Sequence, residues 1–299
     1  MVKRLISANT SEVFEMSVNE LKQSIKASEG RVVLSENVAH RDPWIFDVTN
    51  AEMAAAFGAD LILLNAVDVF NVNIAGLYDI ENHPIQSLKK LCGRPVGVNL
   101  EPVDGTVNMM DDRFELEKGR TANHETLLKL NELGVDFVCF TGNPGTGVSN
   151  TAIVESVKQA KQLFNGLIFA GKMHSSGVDE AVVNLELVKT LIEAGEDVIL
   201  VPSIGCVPGI TLEMIHDVVQ LCHTHGALVM SAIGTSQEGA SKETIRYFAI
   251  QNKMAGVDIQ HIGDAGYGGL APVENIFELG IAIRGLRHTA SKMSRSILR

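Results

Sequence analysis

The chain runs to 299 residues, of which 45% are hydrophobic, 20% charged and 5% aromatic. That balance excludes a disordered or fibrous chain and asks for a core of Val, Ile, Leu and Ala. A formal net charge of -11 argues against nucleic acid or an anionic membrane as partner. No apolar stretch approaches the roughly 18–20 residues that cross a bilayer. No apolar run of about 7–15 residues, the core of a secretory signal, marks the start of the chain. Cys92, Cys139, Cys206 and Cys222 form neither a CxxC pair nor a zinc-ligand spacing. The expectation is a soluble, cytoplasmic protein with reduced thiols.

Residues 1–29 precede the first strand. Within them Val18, Leu21 and Ile25 recur at helical spacing, so Ser17–Ala27 is predicted to be a helix covering the bottom of the fold. Strands are then predicted at Arg31–Ser35, Leu61–Asn65, Arg94–Leu100, Phe137–Thr141, Leu167–Gly171, Val198–Pro202, Ala227–Ser231 and Ile259–Ile262, each followed by a helical segment. Gly30, Gly93, Gly166 and Gly226 open the odd-numbered strands. Gly58-Ala-Asp60, Gly134-Val-Asp136, Gly195-Glu-Asp197 and Gly256-Val-Asp258 end helices ahead of the even-numbered ones. Members of one set return about every 60–75 residues, the mark of a repeated βαβα unit. Strict alternation requires a parallel sheet, and eight units suit a closed barrel. No GxGxxG follows the first strand, which disfavours a Rossmann domain. The predicted class is α/β: a single (β/α)8 TIM barrel over residues 1–299, with no linker.

In this architecture the site is built where loops leave the carboxyl ends of the strands. Those positions read Ser35-Glu36-Asn37, Asn65, Asp68, Asn99, Glu101, Thr141, Asn143, Lys172, His174, Ser203, Ser231, His261 and Asp264. Asn, Asp and Ser also cap helices and make turns, an equal reading for Asn65, Asn143 and Ser203. Glu36, Glu101 and Lys172 are poor choices for an apolar barrel mouth unless they do chemistry. A lysine leaving an apolar strand can have its pKa lowered and attack a carbonyl. His174, two residues on, is suited to moving protons near neutral pH. Lys172 could equally bind phosphate or pair with Glu101.

Two glycine-rich stretches follow the last two strands: Ile233-Gly-Thr-Ser-Gln-Glu-Gly-Ala-Ser241 and His261-Ile-Gly-Asp-Ala-Gly-Tyr-Gly-Gly269. Glycines let backbone N–H groups approach an anion. Through Gly234-Thr235-Ser236 and Gly263, Gly266, Gly268 and Gly269 the chain resembles the phosphate-binding TIM-barrel superfamily, within a bacterial branch that the motifs tie to no particular substrate. The resemblance spans the barrel and implies a small phosphorylated metabolite as ligand, not a reaction. The same loops could hold the phosphate of FMN.

A metal reading competes. Glu36, Asp68, Glu101 and Asp264, with His174 or His261, offer ligands to Mg2+ or Mn2+, as in lyases of the phosphoenolpyruvate-mutase type. The Lys-Xaa-Cys-Gly loop of those lyases is absent, and Lys90-Leu-Cys-Gly93 lies at the wrong end of its strand. His223-Thr-His225 also sits at a strand entrance and is read as helix-end surface. Residues 68–83 and 101–121 make long polar loops, suited to lids or subunit contacts, with Arg113 and Arg120 placed to close on an anion. Arg284, Arg287, Lys292, Arg295 and Arg299 give a basic C-terminal end, read as complementing a helix dipole or contacting a partner subunit in a homo-oligomer. The leading expectation is a lyase, aldolase or isomerase acting on a small phosphorylated carbonyl compound, with Lys172 and His174 central and Glu36 or Glu101 as partner carboxylate. A metal-dependent lyase and a non-catalytic metabolite-binding barrel are the alternatives.

Overall fold

Each apolar run bracketed by the glycine signatures is a strand in the computed structural model, which describes residues 2–78, 83–110 and 112–299. The strands are β1 (Val32–Val38), β2 (Leu61–Asn65), β3 (Val96–Leu100), β4 (Phe137–Phe140), β5 (Leu167–Gly171), β6 (Val198–Pro202), β7 (Leu228–Ile233) and β8 (Ile259–Ile262). All pair in parallel with their sequence neighbours, and β8 returns to β1 to close the barrel. β3 starts later than expected because Pro95 has no N–H to give the ladder. β1 runs three residues further, to Val38, where Val38 N–H donates to Gly269 O at 3.0 Å.

The helices are α1 (Thr10–Phe14), α2 (Val18–Lys26), α3 (Asn50–Ala56), α4 (Pro84–Cys92), α5 (His124–Leu133), α6 (Asn150–Leu163), α7 (Leu185–Ala194), α8 (Leu212–Thr224), α9 (Lys242–Ala255) and α10 (Val273–Ser294). α2 begins with a capping box: Ser17 N–H donates to Glu20 at 2.9 Å, and Ser17 Oγ accepts from Glu20 N–H. Its Leu21 and Ile25 join Leu5 and Ile6 against the inward residues Val32, Leu61, Phe137 and Ile259. The N-terminal segment is therefore the plug of the barrel bottom. No helix among the described residues is long and apolar enough to cross a membrane.

The Gly-Xaa-Asp repeat has one physical job, performed four times. The aspartate leading into each even strand donates its N–H to a carbonyl of the preceding odd strand, and its carboxylate accepts the N–H of the same residue. Asp60 holds Val33 this way at 2.8 and 2.9 Å. Asp136 holds Val96 at 2.9 and 2.8 Å, Asp197 holds Ile168 at 2.9 and 3.1 Å, and Asp258 holds Val229 at 2.9 Å twice. Each carboxylate also meets a basic side chain: Arg284 and Lys292 at Asp60, Lys89 at Asp136, Lys22 at Asp197 and His223 at Asp258. His223 is thus part of the lower seam, and the His225 ring bonds Leu221 O at 2.9 Å.

This seam also reassigns the basic C-terminal end. Arg284 and Lys292 of α10 turn inward onto Asp60 at 2.5 and 3.4 Å, and all three side chains are buried. Burial pushes the Lys292 amine down to about 7 even though Asp60 opposes the shift. Arg295 donates to Asn9 Oδ1 at 2.6 Å. These three cations tie the last helix to the barrel bottom, while Arg287 and Arg299 are exposed.

Side chains alternate in and out along every strand. Val32 and Leu34 point inward below Glu36; Leu61 and Leu63 lie below Asn65; Phe137 and Cys139 lie below Thr141. Leu167 and Phe169 lie below Gly171, and Ile259 below His261. On β3 the inward position is Gly97, where a Cβ would meet the Phe137 ring at 2.2 Å. Phe137 fills that space and stacks on Phe169 with centroids 4.7 Å apart. The top inward layer is therefore polar on β8 and β1–β4, through His261, Glu36, Asn65, Asn99 and Thr141. It is small or apolar on β5–β7, through Gly171, Pro202 and Ala232.

Candidate active site

A cavity of about 790 Å³ opens over that layer, at the carboxyl ends of the strands. Ala66, Ser176, Thr235, Ser236 and Ala265 all take a positive φ in the loops around it, although none is glycine. Such strained backbone gathers where a site must be held in shape.

At the base of the cavity lies a buried pair. Glu36 is 3% exposed, and its Oε2 is 2.8 Å from Nε2 of His261, which is fully buried. Either Nε2–H donates to the carboxylate or the carboxylic acid donates to bare Nε2, so one proton is shared along this bond. Burial pushes the Glu36 carboxyl up from the ordinary carboxylate range; the His261 bond opposes the shift, and the charges of Asp264 and Glu238 add to it. A carboxyl raised in this way exchanges protons closer to neutral pH. Nδ1 of His261 is buried without a partner.

Beside the pair runs an amide chain. Asn65 and Asn143 exchange hydrogen bonds, Nδ2 to Oδ1, at 2.9 and 3.0 Å. Asn99 donates to Asn65 Oδ1 at 3.1 Å, and Asn65 donates to Asp264 Oδ2 at 3.0 Å. Glu101 anchors this chain from outside the cavity: it accepts the side-chain and backbone N–H of Asn143, both at 2.7 Å, and pairs with Arg120 at 3.3 Å. Glu101 therefore reaches the cavity only through Asn143 and does not line it itself. Asn99 Oδ1 and Thr141 Oγ1 stay buried and unpartnered while lining the cavity.

Lys172 and His174, expected to act together, are separated. Lys172 is on the outward register with Ile168 and Ala170, because Gly171 takes the last inward position of β5. Gly171 is irreplaceable there: its φ is 139°, and a Cβ at that position would stand only 2.1 Å from Leu200 O. The Lys172 ammonium pairs with Glu180, reaches Ser175 O at 3.5 Å, and does not line the cavity. His174 does line it. Its Nδ1 accepts from Ser176 N–H at 3.0 Å, which leaves the ring proton on Nε2. Burial, helped by the nearby Lys172 charge, pushes its pKa down and keeps the imidazole neutral.

The two glycine loops do reach the cavity, through Gly234, Thr235, Ser236, Gly263 and Gly266. One of their backbone donors is already taken by the protein: Asp264 Oδ1 accepts the N–H of Gly266 at 2.8 Å. Glu238, which no motif in the sequence singles out, is 4% exposed, lines the cavity and leaves Oε2 unpartnered. Burial pushes its carboxyl up. No Lys or Arg is among the described residues lining the cavity. Gly268 faces a separate hollow beside Trp44 and Leu270, and Gly269 packs on Arg41. Arg113 is spent on Asp104 O and Val107 O at 2.8 and 3.2 Å.

The remaining candidates lie elsewhere. Asp68 accepts from Phe70 N–H at 2.9 Å and packs on Gly119. Ser203 and Ser231 take outward register positions; Ser203 Oγ accepts from Asn252 at 2.7 Å. Of the carboxylates offered to Mg2+ or Mn2+, Glu36 and Asp264 line the cavity while Asp68 and Glu101 do not, and no group of three His, Cys, Asp or Glu among the described residues is placed around one ion. Within the two long loops, residues 79–82 and 111 lie outside the described residues.

The barrel is similar to that of an archaeal fructose-1,6-bisphosphate aldolase whose catalytic lysine is bound to the carbinolamine intermediate. That match has 14% identity, covers 86% of this chain and 95% of that one, and has a TM-score of 0.53. It is also similar to 2,3-dimethylmalate lyase of the PEP mutase/isocitrate lyase superfamily, with 13% identity, 83% and 80% of the two chains and a TM-score of 0.50. Likenesses of this size speak for the fold alone. No curated protein matches the sequence. Residues 6–299 match one family along nearly the whole chain, and the protein belongs to it: the domain of unknown function DUF7916.

Proposed function

We propose that the protein is an enzyme moving a proton next to the carbonyl of a small polyhydroxylated compound, by isomerase or lyase chemistry. The observation that carries this reading is the buried Glu36–His261 pair, whose carboxyl lines the cavity. Glu36 is the base: it takes the proton from the carbon beside the carbonyl. The electron pair of that C–H bond becomes the new C=C, and the carbonyl electrons move onto oxygen. The neutral His174 donates Nε2–H to that oxygen, which an imidazole held neutral does without losing its proton. Glu36 then returns the proton to the former carbonyl carbon, while the hydroxyl proton of the neighbouring oxygen passes to the first oxygen and the electron pair it leaves forms the new C=O, completing an isomerisation; His261 keeps the carboxyl aimed throughout. The same enolate is the product side of a carbon–carbon cleavage. Unpartnered Asn99 Oδ1 and Thr141 Oγ1 are available to substrate hydroxyls.

This reading replaces Lys172 by Glu36 as the reacting group and drops the phosphate from the substrate. Solvent-deuterium exchange into a panel of free aldoses and ketoses tests it. Exchange should occur with an accepted sugar and fall by about 10²–10⁴ in Glu36→Gln. Undiminished exchange in that variant overturns the assignment.

A further inference from the structure

The β7–β8 side of the cavity has a chemistry that proton transfer does not use. Glu238, on the turn after β7, is nine-tenths buried with Oε2 free of any partner. That oxygen lies 3.5 Å from where a Cβ on Gly263 would stand, so glycine keeps open the space in front of it. Asp264, on the loop after β8, faces the same space and is fixed by Asn65 and Gly266. The charges of Glu238, Asp264 and Glu36 act on one another. Neither Lys nor Arg lines the cavity among its described residues to neutralise them. A buried carboxylate such as Glu238, with neither Lys nor Arg beside it, is unfavourable unless a ligand supplies the cation.

We propose that Glu238 and Asp264 form a seat for a protonated amine, so that the ligand is an aminated polyhydroxy compound and not a phosphorylated one. The ammonium donates to Glu238 Oε2 and to Asp264, and the hydroxyls fall to Asn99 and Thr141. As a statement about the substrate this rests on the proposed function; as a statement about binding it stands alone. A matched set of probes separates the two: glucamine, its neutral N-acetyl derivative, sorbitol, sorbitol 6-phosphate and magnesium chloride alone, each titrated calorimetrically into the full chain.

Glucamine should bind about tenfold or more tightly than sorbitol, the gain of a charge-assisted hydrogen bond in a buried setting. N-acetylation should remove that gain, and sorbitol 6-phosphate should bind more weakly than sorbitol. Glu238→Gln should bring glucamine to the level of sorbitol. The comparison between ligands needs no variant, so it stands even where Glu238→Gln fails to fold. Glucamine no tighter than sorbitol, sorbitol 6-phosphate tighter than sorbitol, or magnesium binding that needs Glu238 would each overturn the proposal. Glu36→Gln keeps the amine preference while losing deuterium exchange. Retained exchange in that variant counts against Glu36 as base and leaves the amine seat intact.

Discussion

Asparagine in place of each seam aspartate makes a graded experiment inside one molecule. The substitution keeps an oxygen to accept the strand N–H and removes only the charge. The four sites differ in how much water reaches them: the carboxylate is 0% exposed at Asp60, 7% at Asp258, 16% at Asp197 and 25% at Asp136. Asp60 is also the counter-charge for two buried cations, Arg284 and Lys292. Stranding a buried charge costs about 3–5 kcal/mol, whereas an exposed pair is worth about 0–1 kcal/mol. Asp60→Asn should therefore lose about 3–5 kcal/mol and Asp136→Asn about 1 kcal/mol or less, with Asp258→Asn and Asp197→Asn between them. At about 2 °C per kcal/mol for a chain of this size, Asp60→Asn should melt about 6–10 °C below the parent by calorimetry. Four equal losses would refute the reasoning, since they would assign the seam's stability to its shared hydrogen bonds and none to the charge.

Glu36→Gln should raise stability while removing activity. Folding raises the Glu36 pKa above its ordinary 4.5, so the parent loses stability as pH climbs from 4.5 through the raised value. Melting temperatures across pH 4–8 should show the variant free of that decline, and parallel curves would contradict the burial argument. For the same reason the acid limb of the kcat/KM profile should lie above 4.5. His223 has the opposite sign: Asp258 raises its pKa, so its contribution is complete below 6.5 and fades as pH rises through the raised value. The stability gap between the parent and His223→Ala should close over that interval. Gly97→Ala puts a methyl into the Phe137 ring and should cost about 1–3 kcal/mol in urea titrations. Borohydride reduction with an accepted substrate should leave intact mass unchanged, because the Lys172 amine is paired with Glu180 outside the cavity; a trapped adduct at Lys172 would reverse that assignment.

The barrel was legible because its signals are local. A glycine past a helix end, an aspartate two residues on and a short apolar run require only neighbouring residues, and the period of that pattern gave the eight strands and their alternation. Strand parity was equally present: Phe169 inward puts Lys172 outward, and the register carries Glu36, Asn65, Asn99, Thr141 and His261 to the mouth. What the chain order could not convey is who meets whom across the barrel. Glu36 and His261 are 225 residues apart, Asn65 and Asp264 are 199 apart, and Arg284 reaches Asp60 across 224. Glycine-rich loops announce that backbone N–H groups are free to bind an anion. Only the folded barrel decides what takes them, and here the Asp264 carboxylate takes the N–H of Gly266. Sequence determined the frame because frame-building is short-range hydrogen bonding and apolar periodicity. Tertiary structure decided the charge of the site, because burial and Coulomb interactions act through space between residues that the chain keeps far apart.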